Sequence, residues 1–258
     1  MSAFRLASEW ARGIRLRTKA VSSTGSTNDD AKNAADPLMA LHGPGDAVLY
    51  LADQQTHGRG RNQNQWLTLP GQALLSSWTF AVDKATPPQP VFSPLAGLAL
   101  HDAVHAAWPD LKLAIKPPND LHVIVGTDQN RTAMKVAGLL IEIVSDASKP
   151  FHTVVVGLGF NLSGAPESTR PYPATSIAAA MAALGLPFTE SHLFLFLNAF
   201  RQGLNSALAQ ATENELNKEV CRKLQGAIAG HPDFSDVTSV SAKGDLSRKN
   251  GETSWSEL

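Results

Sequence analysis

The stretch Gln55-Thr56-His57-Gly58-Arg59-Gly60-Arg61 alternates glycines with arginines. Glycine removes the Cβ atom and lets backbone approach a ligand closely, while arginine supplies a planar, permanently charged fork of donors that fits carboxylate or phosphate. Alone, such a repeat reads equally as a solvated turn. Two more cationic segments follow: Lys116-Pro117-Pro118-Asn119-Asp120, and Lys135 at the head of the apolar run Val136-Ala137-Gly138-Leu139-Leu140-Ile141. An unpaired ammonium is costly to bury, so Lys135 either awaits a partner anion or lies exposed at a strand end. The three segments together point to an anionic, phosphate-bearing ligand.

They also have company in a fixed order. Ser26-Thr27-Asn28-Asp29-Asp30-Ala31 lies upstream; Gly157-Leu158-Gly159-Phe160-Asn161-Leu162 and Ala174-Thr175-Ser176-Ile177, the latter expected before a long helix, lie downstream. In that order and spacing, from about Gly25 to about Leu208, the chain resembles biotin protein ligase. The resemblance implies an α+β fold, a mixed β-sheet flanked by helices, in the catalytic core shared by biotin and lipoate ligases and distantly by class II tRNA synthetases. It implies activation of biotin with ATP and Mg²⁺ to biotinyl-AMP, then transfer to a lysine of a biotin carboxyl carrier domain. It further implies a monofunctional form, because the motifs begin near residue 25 and the family's optional N-terminal winged-helix DNA-binding domain is missing.

Activating a carboxylic acid with ATP brings two anions together, and oriented cations in a water-poor site offset their repulsion, commonly by about a few kcal/mol for each group. By resemblance, Lys135 is that group and is central to adenylation. Arg59 and Arg61 hold the acyl-adenylate and close over it, which keeps water from a hydrolysable anhydride. Gln55 contacts biotin, Ser26 and Thr27 bond its ureido ring, and Gly58 and Gly138 join them at the biotin end. Trp66, Lys116, Asn119 and Asn161 belong to the ATP and adenylate end, with Mg²⁺ held partly by ATP near Asn161 and not by a full protein cage. Asp120 either joins them as an oxygen ligand near the phosphates or helps to remove the proton from the acceptor lysine. Local readings stand beside these roles: Ser26 and Thr27 as helix caps, Asn119-Asp120 as an Asx turn, Gly138 and Gly157 as packing glycines.

Two departures from the family pattern bear on activity. Pro117 stands where a tryptophan is usual, which removes a donor and a stacking surface. Asn62-Gln63-Asn64-Gln65 replaces the more common arginine- or glycine-rich continuation before Trp66.

The elements that position these residues follow from patterning. Strands are expected over Ile14–Ser22, Ala47–Ala52, Ala73–Val82, Leu111–Lys116, Leu121–Val125, Lys135–Val144 and Thr153–Gly157, with a polar connection over Gly126–Thr132. A short helix capped at Ser26 or Thr27, with Asp30 completing an approximate capping box, ends at Pro37. Ser93 and Pro94 read as the N-cap and first residue of a helix to Trp108 that buries Leu95, Leu98, Ala99 and Val104. His101 and His105 on it lack the further ligands of a zinc site. A second amphipathic helix runs from Glu190 to Ala209, and Thr212 with Glu215 forms another capping box. Small strands are expected within Val237–Leu258, turning at Lys243-Gly244 and Asn250-Gly251. The domain reading is a catalytic domain over residues 1–226 and a short C-terminal β remnant over 227–258.

A charged fraction of 17% and a hydrophobic fraction of 43% in 258 residues belong to a globular chain with a sizeable core. The net charge of -1 gives no general attraction to nucleic acid or to an anionic membrane. Cys221 is the only cysteine, which forbids an intramolecular disulfide and fits a cytoplasmic location. No run is apolar enough for an export signal or a bilayer span. The competing readings are a lipoate or octanoate ligase of the same superfamily, a biotin-binding protein weakened in catalysis, and, disfavoured by charge, a DNA-binding repressor.

Overall fold

The computed structural model describes residues 2–34, 47–127, 130–167, 172–189 and 191–258. In chain order the elements are α1 (Ala3–Gly13), β1 (Thr18–Thr24), α2 (Thr27–Asn33), β2 (Ala47–Gln55), β3 (Ala73–Asp83), α3 (Phe92–Ala107), β4 (Leu113–Lys116), β5 (Asp120–Thr127), β6 (Asn130–Ser145), β7 (Phe151–Asn161), α4 (Ile177–Ala183), α5 (Ser191–Ala211), α6 (Lys218–Ala229), β8 (Val237–Val240), β9 (Leu246–Arg248) and β10 (Gly251–Thr253). They fall into two compact units. The first holds residues 1–87, 137–166 and 176–194, the second residues 88–136, 167–175 and 195–258.

The first unit is built on strands in the order β1-β2-β3-β7-β6, where β1 runs parallel to β2 and the remaining pairs are antiparallel. The mixed sheet meets the α+β expectation. Its core residues are β-branched, leucine and aromatic side chains with little or no exposure, including Leu49, Leu51, Leu74, Trp78, Phe80, Val156 and Phe160. Helix α1 covers part of this sheet. Ser2 caps it by accepting from the Arg5 amide, and Leu6, Trp10 and Ala11 are buried at helical spacing. The Trp10 ring meets Trp78 edge-on at 6.0 Å, a pairing worth about 0.5–1.5 kcal/mol beyond the area it buries.

In the second unit, β4 and β5 form a hairpin in which Lys116 lies opposite Asp120, and β5 continues to the first residues of β6. Trp108, Phe196 and Phe200 are fully buried, with Phe196 stacked on Phe200 at 5.5 Å. Strands β8, β9 and β10 make a separate small antiparallel sheet, as expected for the C-terminal segment. Gly244 (φ +89°) and Gly251 (φ +137°) take the left-handed backbone that the expected turns require.

Several local expectations are corrected. Ile14 is the C-cap of α1 and the first strand begins at Thr18. Ser26 occupies the N-cap of α2 without a side-chain cap bond, and the Thr27 hydroxyl bonds Gln55, so the Thr27–Asp30 capping box does not form. Helix α3 starts at Phe92, and the Ser93 hydroxyl accepts from the Trp255 indole where capping was expected of it. The Thr212 hydroxyl donates to the Ala209 carbonyl; Asn217 caps α6 by accepting from the amides of Glu219 and Val220. Ser176 does cap α4, but that helix has seven residues and is not long. For Thr27, Ser93 and Thr212, a backbone carbonyl nearby or a side chain distant in sequence took the group that local pattern assigned to a cap. Pro37, Glu190 and residues 128–129 of the polar connection lie outside the described residues.

Candidate active site

In the first unit, Thr27 and Gln55, two of the residues expected at the biotin end, join one polar chain. The Thr27 amide and hydroxyl both donate to Gln55 Oε1, at 2.7 and 3.0 Å. A backbone amide can only donate, so it fixes the orientation of the Gln55 carboxamide and leaves the Gln55 amide nitrogen as a donor. Ser77 lies between Thr27 Oγ1 (2.8 Å) and Asn28 Oδ1 (2.5 Å). Asn28 Nδ2 then donates to the Leu140 carbonyl and to Glu142. Ser26, Thr27, Asn28 and Ser77 are all buried. Buried polar side chains persist when bonded in this way, and a connected network fixes their positions.

Glu142 collects cations at the far end. Lys32 and Arg59 reach its two oxygens at 2.9 and 2.8 Å, and both cations also pair with Asp29. Burial works against ionising Glu142, but the bonds from Lys32 and Asn28 and the charge of Arg59 outweigh it, and the carboxyl is held below its ordinary range. Lys32 is likewise raised, against the effect of burial, by its bonds to Glu142 and Asp29. Arg59 is therefore tied to two carboxylates. Arg61 opens a short 3-10 turn, and its side chain has no bonded partner among the described residues.

The loop itself is pinched shut by its backbone. Arg59 bridges Gln65, Gly60 N–H donates to Asn64 O, and Trp66 N–H donates to Gly58 O. Asn62, one of the departures, sits at φ +53°, a left-handed position that asparagine tolerates better than most residues. Two glycines of β7 make room for the site. A Cβ at Gly159 would collide with the Trp66 indole, and one at Gly157 with the Asn28 carboxamide. Gly138 lies opposite Gly159 in the β6–β7 register. Thus Gly157 accommodates a protein side chain, the packing role that the sequence left open to it. Asn161 ends β7, is 2% exposed, and its Oδ1 has no hydrogen-bond partner among the described residues. An orphaned buried carbonyl oxygen has the lone pairs that suit a Mg²⁺ ion carried in with a phosphate.

In the second unit, Lys135 Nζ pairs with Asp120 Oδ1 at 2.7 Å. The partner anion demanded by its apolar context is thus a carboxylate of the same chain. Lys116 lies over the Tyr172 ring, 5.6 Å from its centroid. Pro117 and Pro118 are buried, and the Pro118 carbonyl accepts from the Trp255 indole. Asn119 sits within the turn between β4 and β5. Beneath Tyr172, His122 and His231 are fully buried and bond each other at 3.1 Å. Burial is the main cause that lowers His122 to about 2 and His231 to about 4; His231, Lys135 and Lys116 contribute electrostatically at His122, and Lys116 at His231.

The model of the biotin/lipoate A/B protein ligase family matches residues 23–161, more than half of the chain. The chain belongs to this family. A curated biotin--[acetyl-CoA-carboxylase] ligase of Mycobacterium tuberculosis is 36% identical over 163 residues, covering 61% of this chain and 53% of that protein. One of Paracoccus denitrificans is 34% identical, covering 58% and 56%. The chain thus spans about half the length of the curated relatives it matches. Among solved structures, the biotin protein ligase from Aquifex aeolicus in complex with biotin and ATP superposes with a TM-score of 0.62 at 19% identity, covering 92% of this chain and 94% of that one. That likeness shows the fold.

For this biotin/lipoate ligase family member, sequence reasoning missed Ser77 and gave Asn28 and Glu142 no role, although they connect the polar chain. One signal was present: Ser76-Ser77 interrupts an otherwise apolar strand, where a hydroxyl needs a partner. His122 carried a similar signal between Leu121 and Val123. Tyr172 carried none.

Proposed function

We propose that the chain is an ATP-dependent biotin protein ligase. In the first step a biotin carboxylate oxygen attacks the α-phosphorus of ATP, the bond to the leaving pyrophosphate breaks, and biotinyl-AMP forms. In the second, the ε-amino group of a lysine on a biotin carboxyl carrier domain attacks the mixed-anhydride carbonyl; AMP leaves and an amide results. The observation that carries this reading is the identity to relatives named biotin--[acetyl-CoA-carboxylase] ligase, together with a family match over residues 23–161, which include the polar chain, the glycine-arginine loop and both lysines.

On this reading Ser26, Thr27 and Gln55 hold the ureido ring, with the Gln55 amide nitrogen as the donor its pairing with Thr27 leaves over. Gly138 lies at that end, and Gly58, where a Cβ would meet the Trp66 carbonyl oxygen, lets the loop pack closely beside Gln55. Lys135 lies between carboxylate and phosphate, and Asp120, its ion-pair partner, takes the proton from the acceptor lysine. Arg59, Arg61 and Trp66 retain the adenylate, while Lys116, Asn119 and Asn161 serve the phosphates. Mg²⁺ neutralises phosphate charge when it arrives with ATP, and Asn161 is the residue best suited to meet it. Among the described residues no group of three or more histidine, cysteine, aspartate or glutamate side chains could hold a metal ion. No helix among them is long and apolar enough to cross a membrane.

Intact-mass measurement after incubation with biotin, MgATP and a biotin carboxyl carrier fragment tests the proposal, and an unmodified carrier overturns it. A second reading is favoured by the breadth of the family, which also takes in lipoate ligases. Pyrophosphate release with lipoate or octanoate but not with biotin would establish it. Tight biotin binding without pyrophosphate release would instead indicate a weakened binding protein, to which Pro117 and Asn62–Gln65 would then be relevant.

A further inference from the structure

Within the second unit, the segment Tyr172–Thr175 touches both lysines of the proposed chemistry. Its backbone is stitched to Lys135: the Lys135 amide donates to Pro173 O at 2.9 Å and the Thr175 amide donates to Lys135 O at 2.8 Å, forming a parallel bridge to Ala174. Its first side chain, Tyr172, presents its ring to the Lys116 ammonium. That ring is fixed from below. It meets His122 edge-on at 5.0 Å and His231 at 5.4 Å.

The two histidines form a directional pair. The Asp233 amide donates to His231 Nδ1 at 3.2 Å, so in a neutral ring the hydrogen sits on Nε2, which donates to His122 Nδ1. The pair carries no positive charge near neutral pH, so nothing in it repels the lysine above. A neutral, buried support is what a cation–π contact requires, because the ring must be held rigidly while the ammonium keeps its charge.

We propose that Tyr172, braced by the His122–His231 pair, is a positioning residue for Lys116 and aims its ammonium at the phosphates of ATP. The dependence on ATP rests on the ligase reading above; the contact between ring and ammonium does not. A ring face holds the charge without neutralising it, whereas a carboxylate at the same place would compete with phosphate. Among the described residues Lys116 is bound to no anion there, so its full charge remains available.

Two readouts test this. In biotin-dependent pyrophosphate exchange, Tyr172→Leu is expected to raise KM for MgATP about three- to tenfold with KM for biotin unchanged, the fold-change expected from loss of a partly exposed cation–π contact. Tyr172→Phe, which keeps the ring, is expected to restore the parental KM. Independently of any activity, ¹³C NMR of the reductively methylated protein is expected to show the Lys116 methyl signal shifted upfield by the ring, assigned by its disappearance in Lys116→Arg. That shift should persist in Tyr172→Phe and vanish in Tyr172→Leu. An unshifted Lys116 signal in the parent, or an unchanged KM for MgATP in folded Tyr172→Leu, overturns the proposal. Absence of pyrophosphate exchange in the parent counts against the ligase reading alone, because the NMR shift still decides the contact. Should Tyr172→Leu fail to fold, His231→Gln is expected to diminish the same shift, and an unaltered shift there overturns the bracing role.

Discussion

At the scale of single residues, two of the cations that sequence singled out hold opposite situations. Lys135 is ion-paired to Asp120, whereas Arg61 has no bonded partner among the described residues. Lys135→Ala is expected to lower kcat and kcat/KM for adenylation together, by about a hundredfold or more, because an oriented charge acting in the transition state is not replaced by more substrate. It should also lower stability, by up to about 1 kcal/mol, as Asp120 loses a partly exposed partner. A defect cured by saturating biotin and ATP would assign Lys135 to simple binding. Arg61→Ala is expected to speed biotinyl-AMP release by about ten- to a hundredfold, the worth of one charge-assisted hydrogen bond. Stopped-flow measurement of the off-rate, with a mass-spectrometric survey of bystander lysine labelling, checks it; an unchanged off-rate would make Arg61 a solvated loop residue.

At the scale of elements, glycine positions on β7 and the histidine pair yield sharper expectations. Gly159→Ala places a methyl group inside the Trp66 indole, so either the loop shifts or the strand gives way. Such overpacking costs about 1–3 kcal/mol, and calorimetric melting should register it alongside altered tryptophan fluorescence. An unchanged Tm and emission would mean that Trp66 leaves the strand readily. For His231 and His122 the folded-state pKa lies below the unfolded value of 6.5. The unfolded chain therefore binds more protons below pH 6.5, and the stability held above that pH drains away as pH falls towards about 4 for His231 and lower for His122. The slope is at most about 1.4 kcal/mol per pH unit for each histidine. Glu142, whose folded pKa is depressed, adds to the loss only at more acidic pH, as it falls through that depressed value. His231→Gln should flatten the dependence between pH 6.5 and 4 in urea titrations, and an unaltered slope would show that the histidines titrate freely.

At the scale of the molecule, the C-terminal segment carries more than its modest sequence suggested. Phe234, Val237, Val240, Leu246 and Trp255 are buried, and Trp255 bonds both Ser93 and the Pro118 carbonyl. Removing residues 231–258 strips these partners, and with them His231, from the second unit. The truncated protein is expected to lose cooperative unfolding of that unit and to be impaired in adenylation as well as in transfer. A soluble truncation with parental adenylation and defective transfer would instead restrict the segment to acceptor docking.

Legibility in the sequence followed the range of the interactions. Glycines and arginines at fixed spacing, the Lys-Pro-Pro-Asn-Asp turn, and apolar runs are local, so the strands β2, β3, β6 and β7 and the family were open to reading. What stayed hidden was decided between residues distant in the chain. Arg59 is held by Asp29 and Glu142, thirty and eighty-three positions away, and Thr27 serves Gln55 instead of its own helix. His122 meets His231 across 109 positions. Sequence alone fixes which groups must find partners once buried, because burying polarity or charge unpaired is costly. Only the tertiary structure decides which partner wins, since that depends on register, on the space left by Gly157 and Gly159, and on the competition among donors that folding brings within 3 Å.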